Sequence, residues 1–381
     1  MTRVVTRVVV AGAGLAGHEV VRRLLADARF DGTITWHAGE AGYPYNRVLL
    51  TDLLAGQHAP GAIELPTLND PRLTYRTSPL RGIARAEFDH LVLATGAEPV
   101  IPPVRGNAVA LRTLADVRTI LNEVDRKLRR VAVVGGGPLG VETACALASR
   151  GIRVELLHRG PYLLSRWLDA ESAALLGGSL TRAGIVVHCD TDVSAATGGT
   201  WPSADLVILA CGVRPRIALA RAAGLPVGRG ILVDTSGRSL GDERIFAIGD
   251  CAEAVDRPAG ALAALDDARR AASAIAGGTS PLPAAAPPLR LRTYGIPGAD
   301  VAVLGRPGAE AAIQFTDQRR RTRKVLALDG DVPVAAALVG DVGAAAALAQ
   351  AIARPAAPAP RLPAALLTSG AGRGAGGFGG V

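Results

Sequence analysis

The stretch VVVAGAGLAGHEVVRRLL, residues 8–25, decides how this chain folds. A short β-branched run leads into Gly12, Gly14 and Gly17 at G-x-G-x-x-G spacing, and a helical pattern follows, beginning with Leu15 and Ala16. Such a unit sets a pyrophosphate on a helix N-terminus. The first glycine turns the chain tightly, the second lets the backbone approach the phosphates, and the third lets helix and strand pack closely. In a chain with 46 glycines one such motif is a weak signal, because an ordinary turn carries the same letters. The signal strengthens at residues 131–148, VAVVGGGPLGVETACALA, where Gly135, Gly137 and Gly140 recur between another apolar strand and another helix. Two dinucleotide sites in one polypeptide are therefore expected, with Ala13 lining the first loop and Pro138 and Leu139 lining the second.

The strand after each loop indicates the ligand. ITWHAGE reads as the next strand of the first unit and ends near Glu40, a carboxylate placed to accept hydrogen bonds from an adenosine ribose. The matching strand of the second unit, RVELLHRG, ends in His158 and Arg159 instead of an acid, and Glu155 lies mid-strand. A basic end favours a 2′-phosphate, hence NADPH, while NADH stays open. Downstream, IFAIGD places Gly249 and Asp250 at the C-terminal end of a strand, where open α/β sheets bind ligands. There a carboxylate can meet a ribityl hydroxyl, and the next helix N-terminus can face a reduced isoalloxazine; a helix N-cap role for Asp250 is the plainer alternative. The strand-turn LATGAEP, with Ala94, Thr95 and Gly96, returns the chain to the first unit, and LVILACG ends the second at Gly212.

At 381 residues two or three domains are expected, and 49% hydrophobic with 20% charged residues is a globular composition. No apolar run reaches the length of a membrane span, and the N-terminal apolar stretch reads as a strand, not a secretory signal, so a cytoplasmic protein is expected. Cys145, Cys189, Cys211 and Cys251 show no C-x-x-C and no metal-ligand spacing. Cys145 and Cys211 read as small buried hydrophobes. A net charge of +8 raises nucleic acid as a partner, but aromatics are only 3% and no nucleic-acid module is visible. The densest basic cluster, Arg319 to Arg321 with Arg323 and Lys324, reads as a solvated hairpin, either steering an acidic partner or simply arginine-rich surface.

The fold class expected is α/β, with two Rossmann-like three-layer dinucleotide-binding domains, one inserted in the other, and a small α+β C-terminal domain. Residues 1–107 and 229–283 would form a discontinuous FAD-binding domain around an NAD(P)-binding domain at 108–228. Helices are expected near Leu114–Leu128, Asp169–Ala183 and Ala261–Ala276. GGTSPLPAAAPP reads as a linker. Strand-like runs (RLRTYG, VAVLG, AIQFT, KVLALDG, VAAALVGD) and a closing helix fill 289–366, and the glycine-rich 367–381 reads as a disordered tail.

In its order of motifs from residue 5 to about 280, the chain resembles the two-dinucleotide-domain flavoproteins, which include ferredoxin and rubredoxin reductases and the pyridine nucleotide–disulfide oxidoreductases. YPYNRVLLTDLLAG, Tyr43 to Gly56, is similar to the segment that covers the flavin in that family. The resemblance implies that Asn46 and Arg47 meet the isoalloxazine or pyrophosphate, that Leu80 contacts adenine, and that Glu142 faces the nicotinamide. LLSRWLDAESAALL, LRLRTYGIPGADVAVLG and VLALDGDVPVAAALVGD most resemble the flavin module of assimilatory NAD(P)H nitrite reductase and related nitrate-assimilation electron-transfer subunits. Three departures stand out. Asp52 occupies a place where ferredoxin-reductase relatives usually carry a lysine. The segment Pro79–Asp89 is shortened, which would loosen the flavin domain. No cysteine-rich iron–sulfur or sirohaem region follows, so this sequence is not expected to reduce nitrite alone.

The function implied is hydride transfer from NAD(P)H to FAD and then electron delivery to a protein acceptor. That acceptor would be a nitrite or nitrate reductase catalytic subunit, or a ferredoxin or rubredoxin in another pathway. Redox-thiol chemistry has no nucleophile, since Tyr43–Asp52 contains no cysteine. No side chain is required as general acid or base, so no catalytic residue is assigned. A degenerate flavoprotein acting as a redox-responsive binding module is the remaining alternative, and a homodimer stays possible.

Overall fold

The computed structural model describes residues 5–84, 87–104, 106–126, 129–193, 204–254, 260–279, 288–305, 311–330 and 332–353. Three larger sheets organise them, with two two-stranded pairs beside them. The first runs Arg238–Ser239, Asp242–Ala247, His90–Leu93, Arg7–Ala11, Thr33–His37 and Leu73–Arg76 in spatial order, so strands from before and after the second glycine loop share one sheet. Its strands are parallel except for the edge pair that Arg238–Ser239 makes with Asp242–Ala247. The second sheet, wholly parallel, runs Ala108–Ala110, Leu206–Leu209, Arg130–Val134, Arg153–Leu157 and Val186–His188. Parallel strands need a crossover and are covered on both faces. Accordingly Leu206–Leu209 is buried at every position, and Val131–Val134 likewise.

Helices Leu15–Ala26 and Ala261–Ile275 turn Val20, Val21, Leu24, Ala268, Ala271 and Ala272 into one core with Val8, Val10, Ile34 and Trp36 of the first sheet. Helix Pro138–Ala148 is buried from Gly140 to Leu147, and its apolar residues join the core of the second sheet while Glu142 and Thr143 are buried with them. Helix Leu114–Asp125 starts on a capping box of Thr113 and Asp116. Helix Ala170–Arg182 starts on Asp169, whose carboxylate accepts from the Ser172 amide.

The third sheet is antiparallel, in the order Leu289–Arg290, Val301–Leu304, Val332–Val339, Thr322–Asp329, Ala311–Asp317, with helix Ala345–Ala353 beside it. Alternation sorts its faces. Val301, Val303, Ala337 and Val339 join the core of the second sheet, whereas Ala302, Leu304, Ala336 and Leu338 pack with Leu348 of the closing helix. The expected strand RLRTYG is cut short at Leu289–Arg290. Beyond it Thr293–Asp300 is a turn, held by the Thr293 hydroxyl donating to Asp300 at 3.1 Å.

The basic cluster is only half solvated. Arg319, Arg320 and Arg321 are exposed in the turn as expected. Arg323 and Lys324, expected there too, are buried: Arg323 reaches Asp169 (3.2 Å) and Glu171 (2.6 Å), and Lys324 reaches Asp341 (2.7 Å). Alternation along Thr322–Asp329 does not hold there, because inward cations meet carboxylates on and beyond the second sheet's helix. The tail at 367–381 and most of the linker lie outside the described residues. No helix among the described residues is long and apolar enough to cross a membrane, and they hold no group of three or more metal-ligating side chains.

Candidate functional site

Both glycine loops adopt the same strained geometry. Gly12 has φ +119° and Gly135 has φ +125°, a region that disfavours any side chain. A Cβ on Gly12 would strike the Ala94 carbonyl, and one on Gly135 the Ala210 carbonyl. Gly17 and Gly140 sit against the carbonyls of Gly12 and Gly135, so each is a packing glycine that does not face the cleft. Gly14 and Gly137 head their helices with no side-chain cap. The first N–H groups of each helix therefore have no side-chain acceptor, which is the cradle an anionic phosphate fills.

The parallel extends to a repeat not recognised in the sequence: LATGAEP (93–99) and LACGVRP (209–215). Each leaves its sheet through a left-handed glycine, Gly96 (φ +67°) or Gly212 (φ +96°). The two then pair as an antiparallel ribbon, Ala97–Pro99 with Val213–Pro215. That ribbon closes one side of a single cleft of about 1380 Å³ that both loops share. Pockets for one drug-sized ligand span roughly 300–1,000 Å³, so this volume suits two extended nucleotides.

Lining the cleft are Gly12, Ala13, Gly14, Leu15, Ala16, Glu40, Arg47, Leu80, Ala94, Thr95 and Gly96 on one side. Gly135, Gly137, Pro138, Leu139, His158, Arg159 and Gly212 line the other, and Gly249 and Asp250 also face it. Glu40 accepts from the Tyr45 hydroxyl (2.5 Å) and Arg47 Nη2 (2.7 Å). Burial works against its ionisation, but the Arg47 charge and these hydrogen bonds hold its carboxyl below the ordinary value. Asp250, in a 3-10 turn over Gly249–Cys251, pairs with Arg112 at 2.6 Å. It does not cap the next helix; that place belongs to Gly260, and Gly260, Ala261 and Ala264 face the cleft. Arg112 and Tyr45 were not singled out in the sequence. Arg112 meets Asp250 138 positions away, and Tyr45, besides reaching Glu40 five residues back, accepts from the Leu114 amide 69 positions on.

Four expectations change. Asn46 lies outside the cleft lining, and its side chain accepts from the Val48 amide (3.1 Å), capping the short turn that carries Arg47 into the cleft. Glu142 also lies outside that lining. It is buried one turn behind Leu139, accepting from the Arg292 amide (2.9 Å) and the Thr51 hydroxyl (3.3 Å). His158 uses Nδ1 to accept from the Gly136 amide (3.1 Å), so its ring braces the second loop. Burial, then the Arg159 charge, lower its pKa below the ordinary value. Cys211 is half-buried and faces the cleft. All four cysteines are free thiols, and burial pushes Cys145 up to about 12.

Residues 6–272 match the model of the pyridine nucleotide-disulphide oxidoreductases. The chain belongs to that family. The nitrite reductase (NAD(P)H) of Bacillus subtilis (strain 168) is 29% identical over 366 residues, covering 87% of this chain and 45% of that protein. The assimilatory nitrate reductase electron transfer subunit of the same organism is 28% identical over 284 residues, 65% of this chain and 36% of that one. This chain therefore spans less than half the length of both. The ferredoxin reductase component of chlorobenzene dioxygenase from Cupriavidus sp. (strain PS12) is 29% identical over 380 residues, 87% of this chain and 92% of that one. A solved covalent putidaredoxin reductase–putidaredoxin complex superposes with a TM-score of 0.80 at 26% identity, over 92% of this chain and 93% of that one. The family binds FAD and NAD(P)H, and two uncapped, sterically restricted glycine loops facing one cleft fit that pair.

Proposed function

We propose that this family member is an FAD-dependent NAD(P)H oxidoreductase passing electrons to a protein acceptor in nitrite or nitrate assimilation. The observation that carries this reading is the single cleft shared by the two phosphate cradles. In the same reading the FAD-binding domain is 1–107 with 229–283, the NAD(P)-binding domain is 108–228, and 289–366 is the C-terminal reductase-type domain. FAD, when bound, supplies a ring that accepts a hydride and releases electrons singly.

The chain's own residues bind and orient. The amides heading Leu15–Ala26 and Pro138–Ala148 would receive one pyrophosphate each, Glu40 and Asp250 would accept from hydroxyls, and Arg47 would neutralise phosphate. Leu80 would meet adenine. Arg159, exposed at the cleft edge, is the candidate 2′-phosphate ligand, with Arg166 on the same wall. His158, braced against the Gly136 amide, would only shape that wall. Asp52, paired with Arg292 (3.3 Å), supports the nitrite-reductase branch over one with lysine at that place.

A second reading, a ferredoxin or rubredoxin reductase, is favoured by the match over nearly the whole dioxygenase component. Reduced enzyme presented with a nitrite reductase catalytic subunit, ferredoxin and rubredoxin in turn separates the two. Turnover with the first alone is expected, and turnover with ferredoxin or rubredoxin alone would replace the first reading by the second. A purified protein without flavin that ignores both nucleotides would favour a binding module over either.

A further inference from the structure

Behind the cleft, three sequence-distant segments converge on a buried charged cluster. Helix Leu50–Leu54 starts at the cleft with Leu50 and carries Asp52 two residues on. Helix Pro138–Ala148 starts at the cleft with Pro138 and Leu139 and carries Glu142 one turn in. Between these carboxylates enters the segment that links the third sheet's first two strands, Leu289–Arg290 and Val301–Leu304. Arg292 brings Nε to 3.3 Å from Asp52 and Nη1 to 3.9 Å from Glu142, while its amide donates to Glu142 at 2.9 Å. The Tyr294 hydroxyl donates to Asp52 at 2.7 Å. Side-chain exposure is 7% for Asp52 and 11% for Glu142, so solvent screens the cluster weakly. Tyr294 holds φ +50°, a left-handed backbone that costs a bulky residue energy. Strain at the residue whose hydroxyl reaches Asp52 marks the contact as specified by the surrounding structure.

Two buried carboxylates facing one guanidinium do not make an efficient stability device, since desolvation offsets most of the attraction. Their placement suits another purpose. The two helices are those whose cleft ends carry the flavin-side and nicotinamide-side walls, and Arg292 touches both. We propose that Arg292 and Tyr294 are positioning residues that set these walls against each other through Asp52 and Glu142, so transfer between the two bound cofactors depends on the connection between the third sheet's first two strands. The proposal rests on the cofactor reading above. Arg292 also supplies the positive charge that pairs with either carboxylate among the described residues. Its removal leaves negative charge behind the flavin wall, which disfavours adding electrons to a ring held there.

The test compares FAD-loaded parent, Arg292→Gln, Arg292→Lys and Tyr294→Phe full-length chains. The readouts are bleaching rate at saturating NADPH, half-saturating NADPH concentration, and the midpoint potential of the bound flavin. Arg292→Gln is expected to slow bleaching roughly tenfold or more with half-saturation changed less than about threefold, as misplacement of reacting groups does. Its potential moves negative, and Arg292→Lys restores the parent value. Tyr294→Phe, which removes one hydroxyl, is expected to slow bleaching about threefold or more and decides the matter alone if Arg292→Gln does not fold. Parent that bleaches alongside variants equal to it in rate and potential overturns this proposal and leaves the cofactor reading intact. Parent that does not bleach overturns both.

Discussion

Gly12 shows how far a single residue can carry the account. Its φ of +119° and the Ala94 carbonyl facing its absent Cβ leave no room for alanine. Gly12→Ala should cost about 1–3 kcal/mol from backbone strain alone and lower flavin occupancy, read by thermal melting and the flavin-to-protein absorbance ratio. Gly61→Ala, with open space around it, is the control and should melt with the parent. Asp250→Ala should weaken flavin retention by roughly 1–3 kcal/mol, the cost of an orphaned hydroxyl and an Arg112 left without its carboxylate; undiminished occupancy would remove Asp250 from the site. Glu142 gives a pH signature. Burial raises its pKa in the folded chain, so the folded state holds a proton that the unfolded chain releases once pH passes the ordinary value. Stability contributed by that proton is present at low pH and fades as pH climbs toward the raised folded value. Glu142→Gln should therefore gain stability relative to the parent as pH rises from the ordinary glutamate range, measured by denaturant midpoints across pH. A constant difference would contradict the effect assigned to burial.

At the scale of elements, both glycine loops and most strands were legible because their signals are local. A β-branched run, a tight turn and a helix lie within about eighteen residues, and sterics alone assign the glycines. Helix Leu114–Asp125 announces itself through Thr113 and Asp116 three apart. Elements whose partners lie far away were not legible. Arg112 meets Asp250 across 138 positions and Tyr294 meets Asp52 across 242. RLRTYG alternates like a strand, yet it must bend at Thr293 to deliver Arg292 and Tyr294 to the two helices. Arg323 reads as surface until the helix carrying Asp169 and Glu171 is laid against its strand. Arg323→Gln should lower stability by about 1–3 kcal/mol, the range for hydrogen bonds to charged groups, seen as a lower denaturant midpoint. No change would mean that the Arg323 ion pairs add nothing to the contact between the second and third sheets.

At the scale of the whole molecule, among the described residues one mainly parallel and one wholly parallel sheet face one cleft, joined by a ribbon of two like segments, and an antiparallel sheet shares the core of the second. Net charge of +8 belongs to this scale. Part of it lies in the cleft wall at Arg159 and Arg166, where the proposed 2′-phosphate contact would sit. Arg159→Ala should raise the Michaelis constant for NADPH about tenfold, the loss of one charge-assisted contact, and that for NADH far less. An equal rise for both would take the 2′-phosphate away from Arg159. Common to all these expectations is one cleft that holds FAD and a nicotinamide nucleotide together. Anaerobic titration of the FAD-loaded protein with NADPH measures this most directly. Loss of the flavin absorbance with about one equivalent of nucleotide per flavin is the predicted result. Full flavin absorbance retained under excess NADPH and excess NADH would contradict it.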